Sequence, residues 1–196
     1  LTGRNLELEN NELTKKRKLN SEIKARKNVS MLLKAENKYL EMISKDNSMQ
    51  ETLDSITRYI ETLIRDSRAT ILLLDSSGKR LVHGSAPSLP DRYIQALHEI
   101  EIGPEVGSCG TAAYFNKQVI ASDIINDPLW CDYKDIAVQH GLRACCSVPI
   151  TVASGEVLGT LALYFRFPKE YDSELLELMN RTANIASVVI LRQREH

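Results

Sequence analysis

Two pairs of short apolar runs, each joined by a tight turn, constrain the fold of this chain more than any other feature. The pairs occupy residues 69–75 with 79–84, and residues 142–150 with 157–166. Runs of this length that are rich in Val, Ile and Leu and separated by Ser and Gly are typical of β-hairpins. Hairpins predict an antiparallel sheet, because parallel strands need longer crossover connections.

Segments with the periodicity of amphipathic helices lie before, between and after these hairpins. Ser48 and Glu51 have the spacing of a capping box, and Ser88 and Asp91 repeat it before a helix predicted to reach about Glu99. Further helices are predicted over residues 50–65, over 129–140, and from Asp172 onward, and a further strand over 118–122. This order predicts the α+β class, with helices layered on the faces of the sheet.

The first 45 residues contain no proline and a single glycine, and they are dominated by Lys, Glu, Asn and Leu. Apolar residues recur on one side of a predicted helix, at Leu6, Leu13, Leu19, Ile23, Leu33 and Leu40. One helix cannot bury such a seam by itself, so the pattern predicts pairing with a second helix, as in a coiled coil. A frayed helix or a disordered linker is the alternative.

The composition disfavours several classes of protein. The formal net charge is −1, which gives no electrostatic case for binding nucleic acid. No apolar run approaches the ~18–20 residues that a membrane-spanning helix needs. The four cysteines are not spaced as a disulfide framework, so reduced thiols and a cytoplasmic location are expected.

A glycine-rich stretch, GPEVGSCGTAAYF at residues 103–115, is the first candidate site. A phosphate-binding P-loop would need a lysine after its last glycine, and this stretch has none. The glycines permit close approach of a ligand, and amides at a helix start donate to an anion or carbonyl group. We therefore predict ligand contacts from Ser108, Cys109, Gly110 and Thr111, with a nucleophilic Cys109 as the alternative.

Two later segments add further candidates, which are Asp123, Trp130, Tyr133, Arg143, Cys145 and Ser147. The Asp123 carboxylate either contacts a ligand or accepts backbone amides within its loop. The two aromatic residues are three apart on a predicted helix and form either a cavity wall or core packing. The last three alternate along a strand and share one face, with Cys146 on the other. Arg143 would pair either with an anionic ligand or with a surface carboxylate.

Five stretches of the chain together resemble the GAF family of small-molecule sensor domains. They are ATILLLDSSGKRL, GPEVGSCGTAA, VIASDIINDPLWCDY, HGLRACCSVPI and GEVLGTLALYF, within roughly residues 50–192. The resemblance implies a central antiparallel sheet of five or six strands. It also implies terminal helices on one face of the sheet and a ligand cavity under loops and short helices on the other.

The resemblance also implies a role and a domain organisation. Residues 1–47 would form a coiled-coil-like signalling helix, residues 48–192 a GAF sensor domain, and residues 193–196 the start of a linker. The domain would be a regulatory module rather than an enzyme, in a cytosolic bacterial signalling protein. It would form a homodimer through its terminal helices and control a covalently fused output domain, with a diguanylate cyclase as the first expectation.

The ligand and two alternative roles are also expectations from the resemblance. A cyclic nucleotide such as cAMP or cGMP is the first ligand expected, whereas haem and metal ions are not. One alternative is a thiol-dependent reductase of the free methionine sulfoxide type, using Cys109 with Cys145 or Cys146. The other is a dimerisation module without a ligand.

Overall fold

The computed structural model describes residues 2–44 and 48–194 of the chain. The helices are α1 (Thr2–Ser44), α2 (Met49–Leu63), α3 (Asp91–Ala96), α4 (Gly107–Phe115), a 3-10 helix (Pro128–Trp130), α5 (Lys134–Gln139) and α6 (Ser173–Arg194). The strands are β1 (Ser67–Leu74), β2 (Arg80–Ser85), β3 (Ile100–Glu101), β4 (Val119–Ala121), β5 (Ala144–Thr151) and β6 (Val157–Phe165). The polar residues Lys45, Asp46 and Asn47, at which the sequence predicts either an interruption or a bend of the first helix, lie outside the described residues, as does the end of the predicted linker.

The strands form one six-stranded sheet in the order β3-β2-β1-β6-β5-β4, with each neighbouring pair antiparallel. Both predicted hairpins are present, as β1–β2 and β5–β6. The strand β6 completes the centre of the sheet by pairing with β1 as well. The predicted α+β class and the antiparallel sheet of five or six strands are therefore confirmed.

Register determines which side chains meet on each face of the sheet. Leu72 pairs with Thr160, and Cys145 pairs with Tyr164, so these four side chains share a face. Ala162 lies on the same face, between Thr160 and Tyr164 on β6, and α4 packs there against β5 and β6. The helices α2 and α6 contact each other and cover the opposite face. Helices therefore lie on both faces, as predicted.

Two of the predicted helix starts have the predicted caps. The Ser48 hydroxyl accepts a hydrogen bond from the Glu51 amide at 3.2 Å, and the Glu51 carboxylate accepts one from the Ser48 amide at 3.0 Å. The Asp172 carboxylate accepts the Leu175 amide at 2.8 Å at the start of α6. These contacts satisfy amides that have no partner within the helix.

The capping box predicted at Ser88 is wrong. The Ser88 hydroxyl donates instead to the Glu61 carboxylate of α2, over 2.6 Å. Pro90 occupies the cap position of α3 without a side-chain hydrogen bond, and the helix ends at Ala96 rather than Glu99. Because α3 begins at Asp91, Ser88 lies two residues before the cap position, and its hydroxyl is not placed to accept the first amides of the helix.

The single helix predicted over residues 129–140 is also wrong. Asp127 caps the 3-10 helix by accepting the Leu129 amide at 2.9 Å, and this helix ends at Trp130. The backbone of Tyr133 leaves the helical region, with a φ of −122°, before α5 begins. Gly141, with a φ of 74°, follows α5 as the predicted left-handed residue.

The helix α1 runs from Thr2 to Ser44, and the chain divides into two compact units, Leu1–Leu40 and Glu41–His196. The first unit contains α1 as far as Leu40, and the last residues of α1 belong to the second. Five seam residues of α1 are exposed in the single chain, namely Leu6, Leu13, Leu19, Ile23 and Leu33. The side chain of Leu40 lies outside the described residues, and pairing of the seam stays a prediction. Over residues 2–44 and 48–194, no helix has both the length and the apolarity to cross a membrane.

Candidate functional site

A small cavity lies between the sheet face that carries Leu72 and Tyr164 and the segments that cover it. The start of α4 and the 3-10 helix form the cover, and α3 and β3 close one side. The cavity is lined by Leu72, Leu97, Ile100, Val106, Gly107, Ser108, Cys109, Gly110, Trp130, Tyr133 and Tyr164. The centre of a water molecule can occupy about 20 Å³ of this space.

Two glycines allow α4 to begin so close to the cavity. Gly107 has a φ of 55°, in the left-handed region that side chains disfavour. A Cβ atom on Gly110 would lie 2.7 Å from the Val106 side chain. Thr111 closes this loop because its hydroxyl accepts the Val106 amide at 3.0 Å. Thr111 is therefore used within the loop and is not among the lining residues.

Trp130 joins the 3-10 helix to α4 inside the protein. Its indole nitrogen donates to the Ser108 hydroxyl over 3.0 Å, and both residues are buried. The Trp130 ring meets Tyr164 edge to face at a centroid distance of 6.3 Å, and Tyr93 meets Tyr164 in the same way at 5.8 Å. Tyr164 of β6 thus joins Trp130 and Tyr133 in the lining, whereas Tyr93 of α3 packs against Tyr164 and is not a lining residue.

Cys109 is the third residue of α4, and its thiol lines the cavity. The pKa of Cys109 is lowered from 9.0 to about 7, chiefly because the Cys145 thiol donates toward its sulfur. The hydroxyls of Ser147, Thr160 and Tyr164 also lower this pKa, whereas burial opposes them. Cys109 also lies at the N-terminal end of α4, where the helix dipole is positive, and this partial charge favours the thiolate as well.

The neighbouring thiols of β5 differ sharply from Cys109. Burial raises the pKa of Cys145 well above 9.0, and the adjacent Cys109 raises it further. Burial also raises the pKa of Cys146, to about 12. Cys145 packs in the core cluster that includes Cys109 and Tyr164, whereas Cys146 points to the face under α2 and α6. The two vicinal thiols are therefore on opposite sides of the sheet.

Three fully buried hydroxyls surround this thiol cluster without a hydrogen-bond partner of ordinary geometry among residues 48–194. They belong to Tyr93, Ser147 and Thr160. The Ser147 and Thr160 hydroxyls face the Cys109 sulfur closely enough to lower its pKa, but neither completes a regular bond to it. Buried polar groups are nearly always paired in folded proteins, so unpaired ones beside a cavity indicate a site for a further molecule.

Asp123 and Arg143 form an ion pair away from the cavity. Arg143 Nη2 lies 3.0 Å from both Asp123 carboxylate oxygens, and Arg143 Nε lies 3.2 Å from one of them. The same carboxylate accepts the Ile125 amide at 3.3 Å and the Asn126 side chain at 3.0 Å. Both residues thus brace the loop before the 3-10 helix. In the part of the chain that is described, no three His, Cys, Asp or Glu side chains come together as metal ligands.

The predicted site residues therefore divide into three groups. Those that line the cavity are Ser108, Cys109, Gly110, Trp130 and Tyr133. Cys145 and Ser147 lie beneath it, against the Cys109 thiol. Thr111, Asp123 and Arg143 stabilise the segments that cover it. Which of them contact a ligand stays a prediction.

Sequence reasoning missed Tyr93, Thr160 and Tyr164. The signal for the two strand residues was present in VLGTLALYF, where Thr160, Ala162 and Tyr164 alternate with Leu161, Leu163 and Phe165. One face of this strand carries small or polar side chains, and the other carries only large apolar ones. The face with the small or polar side chains is the one expected to meet a cavity. No comparable local signal marks Tyr93, because its position depends on how α3 packs.

The family model that describes the GAF domain matches residues 46–191. The chain belongs to the GAF family. This GAF chain is also similar to the methyl sulfide methyltransferase-associated sensor of Methanosarcina acetivorans, with 35% identity over 169 residues. That alignment covers 86% of this chain and 17% of the relative, so the chain spans less than a fifth of the relative's length.

Solved structures show the same fold at low sequence identity. The GAF domain of a phosphoenolpyruvate-protein phosphotransferase from Coxiella burnetii has a TM-score of 0.66 at 15% identity, covering 84% of this chain and 95% of that one. Free methionine-R-sulfoxide reductase from Neisseria meningitidis has a TM-score of 0.64 at 18% identity, covering 84% and 88%. At these identities the likeness extends to the GAF fold alone.

Proposed function

We propose that this GAF domain is the sensory module of a larger signalling protein and binds a small molecule in the cavity beside Cys109. The observation that carries this proposal is the set of buried hydroxyls of Ser147, Thr160 and Tyr93 that have no regular partner within residues 48–194. A buried polar group without a partner costs about 1–3 kcal/mol, and a bound molecule that pairs with it recovers this energy. The similarity to a sensor supports the same role.

The size of the cavity narrows the class of ligand. Pockets for drug-sized ligands measure about 300–1,000 Å³, far more than the 20 Å³ open here. A cyclic nucleotide would require the start of α4 and the 3-10 helix to move outward. The proposed ligand therefore has few heavy atoms. It is uncharged, because the lining combines aliphatic side chains and aromatic rings with a few neutral polar groups, such as the Ser108 hydroxyl and the Cys109 thiol.

Signalling would act through the helices that flank the sheet. The last turn of α6 contacts β1, because the Arg194 guanidinium donates to the Leu74 carbonyl over 2.8 Å. Leu72, two residues earlier on the same strand, lines the cavity. In the proposed protein, α1 pairs with α1 of a second copy to form a cytoplasmic homodimer. The helices then control an output domain that is fused to the GAF domain. A ligand can shift such helices only through a difference in its affinity for their arrangements.

Binding is tested by thermal unfolding against a panel of small polar molecules, in parallel with mass spectrometry of molecules released from the purified protein. A ligand at 100 times its Kd should add about 2.7 kcal/mol of stability. The matched variant is Ser147→Ala with Thr160→Val, which removes two cavity hydroxyls and retains the fold. Equal stabilisation of wild type and variant by the ligand would place binding elsewhere and contradict the proposal.

A thiol reductase remains the enzymatic alternative, because Cys109 and Cys145 are adjacent. A coupled turnover assay with free methionine sulfoxide separates the two functions. The sensory proposal predicts no turnover above that of Cys109→Ser. Sustained turnover that depends on Cys109 would establish the reductase instead.

A further inference from the structure

We infer that Cys109 is a modification site for hydrogen peroxide, and that Cys145 converts the oxidised Cys109 into a disulfide. This inference rests on the proposed sensory function and names the stimulus that the cavity would detect. Four observations carry it, concerning the size of the cavity, the surroundings of Cys109, the position of Cys145 and the separation of Cys146.

The cavity admits a molecule of the size of hydrogen peroxide. About 10–15 Å³ of space for its centre is enough for one water molecule, and the cavity offers about 20 Å³. Cys109 lines this space, although only 7% of the residue is exposed. An oxidant with a bulky substituent does not fit beside Trp130 and Tyr164 without opening the cover. The cavity therefore selects small oxidants by size.

The surroundings of Cys109 favour attack on a peroxide. The start of α4 stabilises a thiolate, which is the nucleophilic form of cysteine. The hydroxyls of Ser147 and Thr160 face the sulfur and are fully buried, and within residues 48–194 neither has a regular hydrogen-bond partner. They lie beneath the cavity rather than in its lining, and the donors that a peroxide in the cavity would meet are the hydroxyls of Ser108 and Tyr164, which do line it. The site thus presents a nucleophile together with donors for the leaving group.

The first step is a two-electron oxidation of sulfur. The Cys109 thiolate attacks one peroxide oxygen, the O–O bond breaks, and a S–O bond forms. The sulfur is oxidised to a sulfenic acid. The departing hydroxide takes a proton and leaves as water, so the peroxide is reduced.

Cys145 is placed to resolve that product. Cys145 packs in the same buried cluster as Cys109, and β5, which carries Cys145, packs against α4, which carries Cys109. In the second step the Cys145 sulfur attacks the Cys109 sulfur, the S–O bond breaks, and a S–S bond forms. The Cys145 proton joins the departing hydroxide as a second water. In total, two thiols and one hydrogen peroxide give one disulfide and two waters.

The chain itself supplies the matched controls. Cys146 adjoins Cys145 in sequence but points to the opposite face of the sheet, so it does not meet Cys109. Cys131 is exposed and does not line the cavity. Replacing Cys131 by Ser removes a thiol that could link two chains, without touching the proposed site.

The experiment treats the full chain, carrying Cys131→Ser, with hydrogen peroxide, blocks the remaining thiols with N-ethylmaleimide and measures intact mass. The expected product has two thiols lost as one disulfide and Cys146 still blocked. The variant Cys146→Ser should behave identically. The variant Cys145→Ser should form no disulfide and should accumulate a Cys109 sulfenic acid that dimedone traps. The variant Cys109→Ser should show neither product.

Several results would overturn the inference. They are a disulfide that persists in Cys145→Ser, oxidation that spares Cys109, and loss of the disulfide in Cys146→Ser. A second measurement uses the wild-type thiol pair. It tests the inference even if the Cys109→Ser or Cys145→Ser variant fails to fold. Wild-type Cys109 should react with tert-butyl hydroperoxide more slowly than with hydrogen peroxide by about an order of magnitude, because the packed cover excludes the larger molecule. Equal rates would show that the cavity is not the route.

The outcome for this inference is separable from the outcome for the proposed function. Inert thiols in a protein that a small polar molecule stabilises would end the inference and leave the sensory proposal intact. A specific disulfide between Cys109 and Cys145 in a protein that no small molecule stabilises would support the inference and end the proposal of a reversibly bound ligand.

Discussion

The Trp130 indole nitrogen donates a hydrogen bond to the Ser108 hydroxyl over 3.0 Å, within the protein interior. The two residues are 22 positions apart, on the 3-10 helix and at the start of α4. This bond therefore links the two segments that cover the cavity. Because both partners are buried, each depends on the other for its hydrogen bond.

The first prediction concerns this bond. Trp130→Phe removes the donor and leaves a buried hydroxyl unpaired, so the free energy of unfolding should fall by at least about 1–3 kcal/mol. Part of this loss of free energy arises because the phenylalanine ring is smaller and packs less well. The same substitution, Trp130→Phe, made in a Ser108→Ala background measures that packing contribution alone. The double-mutant cycle from urea unfolding should give a coupling energy of about 1 kcal/mol. A coupling of zero would mean that the bond does not hold the cover.

The second prediction compares two buried threonines. Thr160→Val removes a hydroxyl that has no regular partner within residues 48–194, so the empty protein should gain stability or stay unchanged. Thr57→Val removes a hydroxyl that bonds to the Ser85 hydroxyl at 2.9 Å and to backbone carbonyls of α2. That change should cost about 1–3 kcal/mol. Urea unfolding of both variants checks the contrast, and equal losses would show that Thr160 is already paired.

The third prediction concerns the pH dependence of stability. Burial alone would raise the pKa of Asp123, but the hydrogen bonds and the charge of Arg143 lower it below 3.8 overall. A carboxyl group with a lower pKa in the folded chain adds stability above its ordinary pKa. This contribution is lost as the pH falls through the folded value. Arg143→Gln should therefore be less stable than wild type at neutral pH, and the difference should shrink as the pH falls below 3.8, the ordinary pKa of this carboxyl group.

Arg181→Gln is the matched control for that change. Arg181 pairs with Glu177 one helical turn away, over 2.8 Å, on the exposed side of α6. Exposed pairs of this kind contribute little to stability, so this variant should stay close to wild type at both pH values. A loss as large as that of Arg143→Gln would indicate a general effect of removing a positive charge.

The fourth prediction concerns the reactivity of Cys109. Its pKa of about 7 means that the thiolate fraction, and with it the rate of sulfenic acid formation, rises as the pH increases through 7. The groups that face the sulfur are Cys145, Tyr93 and Tyr164, whose pKa values are all raised, so they stay neutral in this range. The rate at which hydrogen peroxide consumes the Cys109 thiol, followed by intact mass from pH 5 to 9 in a chain that retains Cys145, measures the curve. A midpoint near the ordinary value of 9.0 would contradict this assignment.

Local patterns predicted much of the fold. Alternating apolar residues with turn glycines identified both hairpins, and Ser48 with Glu51 identified the start of α2. Each of these signals lies within a few residues of the structure it specifies. Ser88 has the same spacing but bonds to Glu61, 27 residues away. A pattern within one segment does not show at which residue the helix begins, or whether a distant carboxylate binds the hydroxyl.

The candidate site was predictable in its residues but not in its dimensions. Cys109, Trp130 and Tyr133 were expected at a cavity, and the structure places all three in its lining. The space between them is set by how the 3-10 helix turns after Trp130, where a continuous helix had been predicted.

The opposite orientation of Cys145 and Cys146 separates the two sides of the sheet chemically. Under the proposed sensory function, an event at Cys109 would therefore reach the outer helices only through displacement of the strand that carries Cys145 and Cys146. The stiffness of β5 and its partners, rather than any relay of protons or electrons, would then set how faithfully that event is transmitted.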